Sequence, residues 1–472
     1  MKKCGIIDEN SALQETFSQK NRDMLINFTF ANWRSFRDAN TLNLVATAEE
    51  QHRERVPEVK EYNFRLLPVA AIYGGNASGK SNLFKALQFA RAMITQGPAV
   101  EDVISVDPFR LDSNVLNAPS DFRFEILVKD ENDQRQVYDY SFVLNRTKVL
   151  EEKLILVKKS SEVVLFERQD GEPFKFHKTI QEDTMLRVVL ESTRDNQLCL
   201  TNAASQNTSK YKTDQVLRVF RWFEKLMPIQ NFHLSSSTFL REEETFNHTL
   251  SMLGTGVVKL ILQKVPLSDL PHNDIGIMKI LDSMNQKSAS MMVHGTNKSF
   301  HVSVQDNELV AKQLFSVHKG SDDKSEVTFD LSDDSDGTVR AIHLLSHFLE
   351  ASKQDCEKVF VIDELDRSLH TLLLRQLLES YLASCTPESQ AQIIFTTHDV
   401  LQMDQNLFRR DEMWITDRKN DGSTELIPLS SFKGIRKDKS IRTSYLRGQL
   451  GGTPKLLLSG AFPQSVVKED HR

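Results

Sequence analysis

The sequence predicts an α/β fold: a mixed sheet of short buried strands, an antiparallel β lobe and a helical insertion. Three observations lead there. Apolar runs at Pro68–Ile72, Val359–Ile362 and Gln392–Thr396 stop abruptly at glycine-rich or polar loops, as strands buried on both faces do. From about 105 to 195, apolar and polar residues alternate in segments separated by polar turns. From about 205 to 290 the apolar spacing is mainly helical.

The chain divides accordingly into a polar arm (1–23), a first lobe (24–200), a mainly helical insertion (201–325) and a second lobe (326–472). The arm lacks periodicity, so either it is a short disordered tail or Met24 is the start. The 59 basic and 65 acidic side chains leave a formal net charge of −6, which gives no global basic field toward nucleic acid or membrane. Cys4, Cys199, Cys356 and Cys385 have neither metal-ligand nor disulfide-framework spacing, which suits a reducing cytoplasm. No apolar run reaches the roughly 20 residues of a membrane helix, and no secretory signal opens the chain. A cytoplasmic location without membrane contact is expected.

The first strand leads into Gly74-Gly75-Asn76-Ala77-Ser78-Gly79-Lys80-Ser81, the pattern G-x-x-x-x-G-K-[ST]. Leu83, Phe84, Leu87, Phe89, Ala90 and Met93 then recur at helical spacing. Strand, glycine loop and helix together let backbone N–H groups surround phosphates while the helix N-terminus faces their charge. Lys80 is expected on the β- and γ-phosphates of a nucleoside triphosphate and the Ser81 hydroxyl on Mg²⁺. The second strand ends in Asp363-Glu364. Asp363 is expected to hold Mg²⁺ through water, and Glu364 to orient or deprotonate the attacking water. His398, closing the third strand, is placed to sense the γ-phosphate.

Asp333-Asp334-Ser335-Asp336-Gly337-Thr338-Val339-Arg340 opens an amphipathic helix whose apolar face is Ile342, Leu345, Phe348 and Leu349. Calcium is excluded on paper. With Gly337 at the sixth position of a calcium loop, the twelfth is His343, where a bidentate Glu is required.

These motifs resemble those of ABC-type ATPases, whose signature loop lies at a helix N-terminus shortly before the acidic strand. The resemblance implies that Ser335, Gly337 and Thr338 of one subunit close over ATP bound to another, and that Leu365–His370 follows as the D-loop. It narrows further at Phe30-Ala31-Asn32-Trp33-Arg34-Ser35-Phe36, which looks like the opening strand of the RecF, SMC and OLD branch. There, Asn32 and Arg34 would lie against the base and ribose. Ile72 through Leu83, Asn82 included, is similar to the loop of stand-alone bacterial AAA-family ATPases in that branch. So are Ile362–His370, Phe395–Asp399, Arg409–Trp414 and Ser431-Phe432-Lys433 through Leu446. Arg447–Pro454 departs from the family tail, where an aromatic residue usually separates two glycines. The inter-lobe glutamine of the family has no clear counterpart; Pro108–Asp112 is the segment to search.

Such ATPases commonly serve abortive-infection and anti-phage systems, as in RloA-like and PARIS AriA-like modules. The resemblance therefore implies an ATP-hydrolysing switch that forms a homodimer or higher oligomer around ATP. A separate effector, a nuclease among the candidates, would be its partner. The alternative is a RecF- or OLD-like DNA-repair or end-processing ATPase without a nuclease domain, since the 74 residues after His398 leave little room for one. A transporter subunit is a third reading, weakened by the long insert. Nucleic-acid contact stays open at the basic run Phe432–Arg442. Val216, Val219, Phe220, Phe223 and Leu226, and then Val257, Val258, Leu260, Ile261 and Leu262, are expected as helices of the insertion. No heptad persists as a coiled coil requires. Asp421-Gly422 marks a hairpin between Trp414–Thr416 and Glu425–Ile427, expected to be structural.

Overall fold

The computed structural model describes residues 23–130, 132, 134–229, 236–270, 290–294, 298–305, 308–322, 324–432 and 441–453. The arm before Asp23 and most of the basic run (433–440) lie outside the described residues. Three sheets organise the chain.

The first is antiparallel and seven-stranded. It contains β1 (Met24–Ala31), β2 (Asn40–Asn43), β6 (Ser120–Lys129), β7 (Arg135–Leu144), β8 (Val149–Val157), β9 (Glu162–Gln169) and β10 (Lys175–Phe176), in the order β10-β9-β8-β7-β6-β1-β2. The two short strands β3 (Glu58–Val59) and β4 (Phe64–Arg65) pair separately. The second sheet orders β11 (Leu226–Ile229), β17 (Val359–Ile362), β18 (Gln392–Thr396), β5 (Val69–Tyr73), β19 (Met413–Arg418) and β20 (Thr424–Pro428). Its first five strands run parallel, and β20 closes the edge antiparallel through the Asp421-Gly422 turn.

The period-two geometry of a strand divides the parallel sheet between two cores. Ala70 and Ile72 face a core shared with the helix Lys80–Thr95, the helix Gln215–Lys225 and the aromatic face of the antiparallel sheet, including Phe28, Phe122 and Phe124. Val69, Ala71 and Tyr73 face the helices Asp336–Ala351 and Thr371–Ser384. Burial on both faces explains why these strands read as unbroken apolar runs.

The insertion departs from its expected helical character. Val257–Val265 is strand β12, paired with β15 (Glu308–Lys319). With β13 (Ser290–His294), β14 (Ser299–Gln305) and β16 (Glu326–Asp330) it completes a five-stranded sheet. A nine-residue segment with six apolar residues, four of them Val or Ile, is ambiguous by periodicity; the pairing partner decides. Gln215–Lys225 is helical as expected, but Leu226, expected on the same helix, opens β11. As an edge strand, β11 tolerates its proline. The alternating segment also stops early, at Phe176, after which Thr184–Glu191 is a helix.

Polar clips join these layers. Gln392 of β18 is fully buried; its Oε1 accepts the Leu25 N–H at 2.7 Å, and its Nε2 donates to the carbonyls of Leu25 and Leu67 at 3.0 and 3.1 Å. The Arg409–Glu412 motif is structural too. Arg409 pairs with Asp411 at 2.7 Å, and Arg55 with Glu412 at 2.5 Å, both inside the protein. Burial pushes the Glu412 carboxyl up to about 7, against the pull of Arg55. Replacing Gln392 with Met keeps the volume but strands the buried Leu25 and Leu67 peptide groups. Gln392→Met should cost about 1–3 kcal/mol, seen as a lower denaturant midpoint; an unchanged midpoint would remove the clip from the account.

Candidate functional site

The glycine loop leaves β5 at Tyr73 and enters the helix Lys80–Thr95 with Gly79 as N-cap, at φ 108°. A Cβ on Gly79 would sit 2.5 Å from Thr424 Oγ1 and 2.9 Å from Ser35 Oγ, so both conformation and space require glycine. The β19–β20 hairpin clamps the loop from outside. Ser78 Oγ shares a 2.6 Å hydrogen bond with Thr416 Oγ1, and Thr424 Oγ1 donates to the Ser78 carbonyl at 2.9 Å. Asn82 Nδ2 donates to Ser35 Oγ at 2.9 Å, while the Trp33 indole N–H donates to the Asn82 carbonyl at 2.9 Å. Asn76 and Ala77 remain exposed at the tip.

Lys80 is only 5% exposed. Its Nζ donates to the carbonyls of Gly74 at 2.7 Å and Gly75 at 3.0 Å, and lies 3.4 Å from His398 Nδ1. Burial lowers its pKa to about 8, although Asp363, Asp366 and Glu364 pull it upward. Burial, and then Lys80, hold the His398 imidazolium below its ordinary pKa. An ammonium can only donate, so Nδ1 is the acceptor here and the ring proton belongs on Nε2.

The acids are positioned by the neighbouring strand. Thr396 Oγ1 donates to Asp363 Oδ1 at 2.6 Å and accepts the Glu364 N–H at 2.8 Å. The Leu365 N–H adds a 2.9 Å bond to the Thr396 carbonyl. Glu364 is held at φ 50°, a left-handed conformation that costs a non-glycine residue about 1–3 kcal/mol. Its carboxylate is 42% exposed and 3.8 Å from Arg367. Asp366 accepts the backbone N–H of His398 at 3.2 Å, and the Arg340 guanidinium donates to the Glu364 carbonyl.

The helix Asp336–Ala351 begins at Ser335, whose Oγ accepts the Thr338 N–H at 3.2 Å and meets Thr338 Oγ1 at 3.0 Å. Gly337 packs on the D-loop segment of its own chain, where a Cβ would lie 2.5 Å from the Ser368 carbonyl oxygen. Among the described residues, no hydrogen bond joins Ser335, Gly337 or Thr338 to the loop 74–81.

A cavity of about 300 Å³ opens beside the first helical turn, lined by Arg34, Ser35, Asn82, Phe109, Arg110 and Arg418 among others. Arg34 reaches it, paired with Asp107 at 3.5 Å. Asn32 does not. Its amide donates to the Val115 and Ala118 carbonyls at 2.9 Å and accepts the Phe109 N–H at 3.0 Å, so it shapes the cavity wall. Pro108–Leu111, the segment searched for an inter-lobe residue, forms part of that wall.

A family model described as "AAA domain, putative AbiEii toxin, Type IV TA system" matches residues 69–404, more than half of the chain, from the phosphate-loop strand past His398. The chain belongs to this AAA-domain family. Among solved structures it is similar to the SMC head domain from Thermotoga maritima, at 12% identity and a TM-score of 0.31, covering 86% of this chain and 98% of that one. No curated protein matches it.

Sequence reasoning missed several residues that build the AAA-domain site. Thr416 and Thr424 clamp the loop from a hairpin more than three hundred residues away, and no local pattern marks them. Thr396 and Asp366 stand inside recognised motifs, so the strand end of one and the D-loop position of the other were the available signals.

The buried lysine generates a pH prediction. Above about pH 8 the free protein loses the Lys80 proton, whereas a bound triphosphate favours the charged form. Triphosphate binding should therefore take up a proton between pH 8 and 9 and weaken as pH rises. Calorimetry in buffers of different ionisation enthalpy measures this; no buffer dependence there would contradict the depressed lysine.

Proposed function

We propose that this AAA domain is an ATP-driven switch. It binds ATP with Mg²⁺, hydrolyses the γ-phosphate, and associates with further copies of itself around the nucleotide. In the cell it would control a separate effector in prokaryotic abortive-infection defence, as RloA-like and PARIS-like ATPases do. The observation that carries the nucleotide reading is the convergence at the ends of three adjacent strands. Lys80 from the β5 loop contacts His398 after β18 and feels the charges of Asp363 and Glu364 after β17.

Ser81 and Asp363 offer a hydroxyl and a carboxylate, and among the described residues no cluster of three metal-ligating side chains surrounds them. That oxygen-only pair suits Mg²⁺, which keeps waters and takes phosphate oxygens. Bound there, the ion would neutralise phosphate charge. Glu364, strained and half exposed, would orient or deprotonate the attacking water. His398 would present Nε2–H to the γ-phosphate. The cavity beside Arg34 would take base and ribose. Ser335 and Thr338 bond to each other at the helix start and, like Gly337, to nothing in the loop 74–81 among the described residues, which leaves this helix start to close over a second copy's nucleotide.

The family description names a toxin of a type IV system, and the defence reading extends from that and from the sequence motifs. A nucleic-acid clamp would rest on the Phe432–Arg442 run, most of which lies outside the described residues. Among the described residues no helix is long and apolar enough to cross a membrane.

Glu364→Gln should keep ATP affinity but hydrolyse at least about a hundredfold more slowly. Turnover at the wild-type rate would remove Glu364 from that role. Mixing Lys80→Ala with Ser335→Arg subunits tests shared sites. One intact site per mixed pair should restore part of the ATPase rate, and no recovery would count against sharing. Affinity purification of Glu364→Gln with ATP and Mg²⁺ from its native host tests the effector. A stoichiometric protein partner is expected; DNA alone would shift the reading to a repair clamp.

A further inference from the structure

The carboxy-terminal segment Tyr445–Gly452 has no part in the function proposed above, yet it ends against the phosphate loop. The Gly452 carbonyl accepts the Gly75 N–H at 2.6 Å. Gly452 is itself fixed from two sides. Its N–H donates to Asp417 Oδ1 at 2.7 Å, and its carbonyl also accepts the Tyr445 hydroxyl at 2.9 Å. Tyr445 is 4% exposed. Gly451 and Gly452 lie at φ 72° and 67°. A Cβ on Gly451 would be 3.1 Å from the Asp417 carboxylate, and one on Gly452 would overlap Ile415 and lie 3.0 Å from the Thr416 carbonyl oxygen. Only glycines let the backbone lie flat on the end of β19.

What this contact controls follows from the peptide group. The Gly74–Gly75 peptide is trans, so its carbonyl and its N–H point in opposite directions. The N–H points outward to Gly452. The carbonyl of Gly74 therefore points inward, and there it accepts from Lys80 Nζ at 2.7 Å. One planar group links the carboxy-terminal segment on one side to the lysine on the other. Hydrogen bonds in such a chain polarise and strengthen one another. If the outer bond is lost, the peptide is free to rotate and the lysine loses an acceptor that holds its stem and charge in place.

We propose that Tyr445–Gly452 is a positioning strap for the phosphate loop: through Gly452 it sets the direction of the Gly74–Gly75 peptide and so the placement of Lys80 toward the triphosphate. Asp417 and Tyr445 are its fasteners. This deepens the nucleotide-binding reading above and rests on it.

Two quantities test it in the same samples: hydrogen exchange at the Gly75 amide and affinity for ATP. Asp417→Ala removes the acceptor for the Gly452 N–H. It should speed Gly75 exchange by at least about tenfold and weaken ATP binding about three- to tenfold, as expected for loss of one hydrogen bond. Asp417→Asn, whose amide oxygen still accepts, should restore both. A merely structural role for Asp417 would not move one loop amide selectively. Should Asp417→Ala fail to fold, Tyr445→Phe removes a single hydroxyl from the same carbonyl and should shift both quantities in the same direction. Faster Gly75 exchange with unchanged ATP affinity, or unchanged exchange in Asp417→Ala and Tyr445→Phe, overturns the strap. Lys80→Ala is the control. ATP bound by it with wild-type affinity overturns the nucleotide reading itself, whereas its failure to bind beside unaffected strap variants overturns the strap alone.

Discussion

The insertion of β18 between the phosphate-loop strand β5 and the acidic strand β17 is the constraint from which the site follows. Because the three strands run parallel, their C-terminal ends open on one edge, and the loops that leave them meet there. The middle strand then serves both neighbours. Its Thr396 hydroxyl fixes Asp363 and the Glu364 peptide on one side, while the Thr397 N–H bonds to the Ile72 carbonyl of β5 on the other at 3.0 Å. His398 follows directly and lands beside Lys80. A different strand order would separate the same residues.

Electrostatics and backbone strain concentrate at that edge. Lys80 gives up hydration for two loop carbonyls and three nearby carboxylates, which leaves its charge sensitive to whatever binds. Ala77, Glu364 and Ser368 take left-handed conformations in the phosphate loop, the acidic pair and the D-loop. Such conformations persist only where surroundings over-determine them. The surroundings are identifiable: Thr396 and Arg340 hold the Glu364 peptide, and Gly337 packs on the Ser368 carbonyl. The helix that begins at Ser335 is thereby joined to the acidic strand of its own chain. A movement of one must be felt by the other.

The inserted sheet reaches the same region. His318 and Ser316 of β15 hold Asp334 at 3.0 and 2.6 Å, one residue before Ser335. The segment least like a nucleotide-binding lobe thus touches the loop expected to close over ATP. Packing of this kind is how a surface far from the phosphates becomes mechanically connected to them.

By itself the sequence located the glycine loop between strand and helix, the acidic pair and the histidine at strand ends, and the hairpin, because each is a local pattern of fixed residue types at short spacing. It also determined that the three strands are buried, since unbroken apolar runs have no other stable place. It misjudged Val257–Val265, whose nine residues suit a helix or a strand until β15 supplies a partner. Asn32 was equally out of reach. The resemblance put Asn32 against base and ribose, but three carbonyls of its own chain take up its amide donors. Only tertiary structure could place Thr416, Thr424 and Gly452 around the glycine loop, or choose the strand order that unites the site. Hydrogen bonds across hundreds of residues leave no periodicity to read; they exist only once two hydrophobic cores have set the sheets in place.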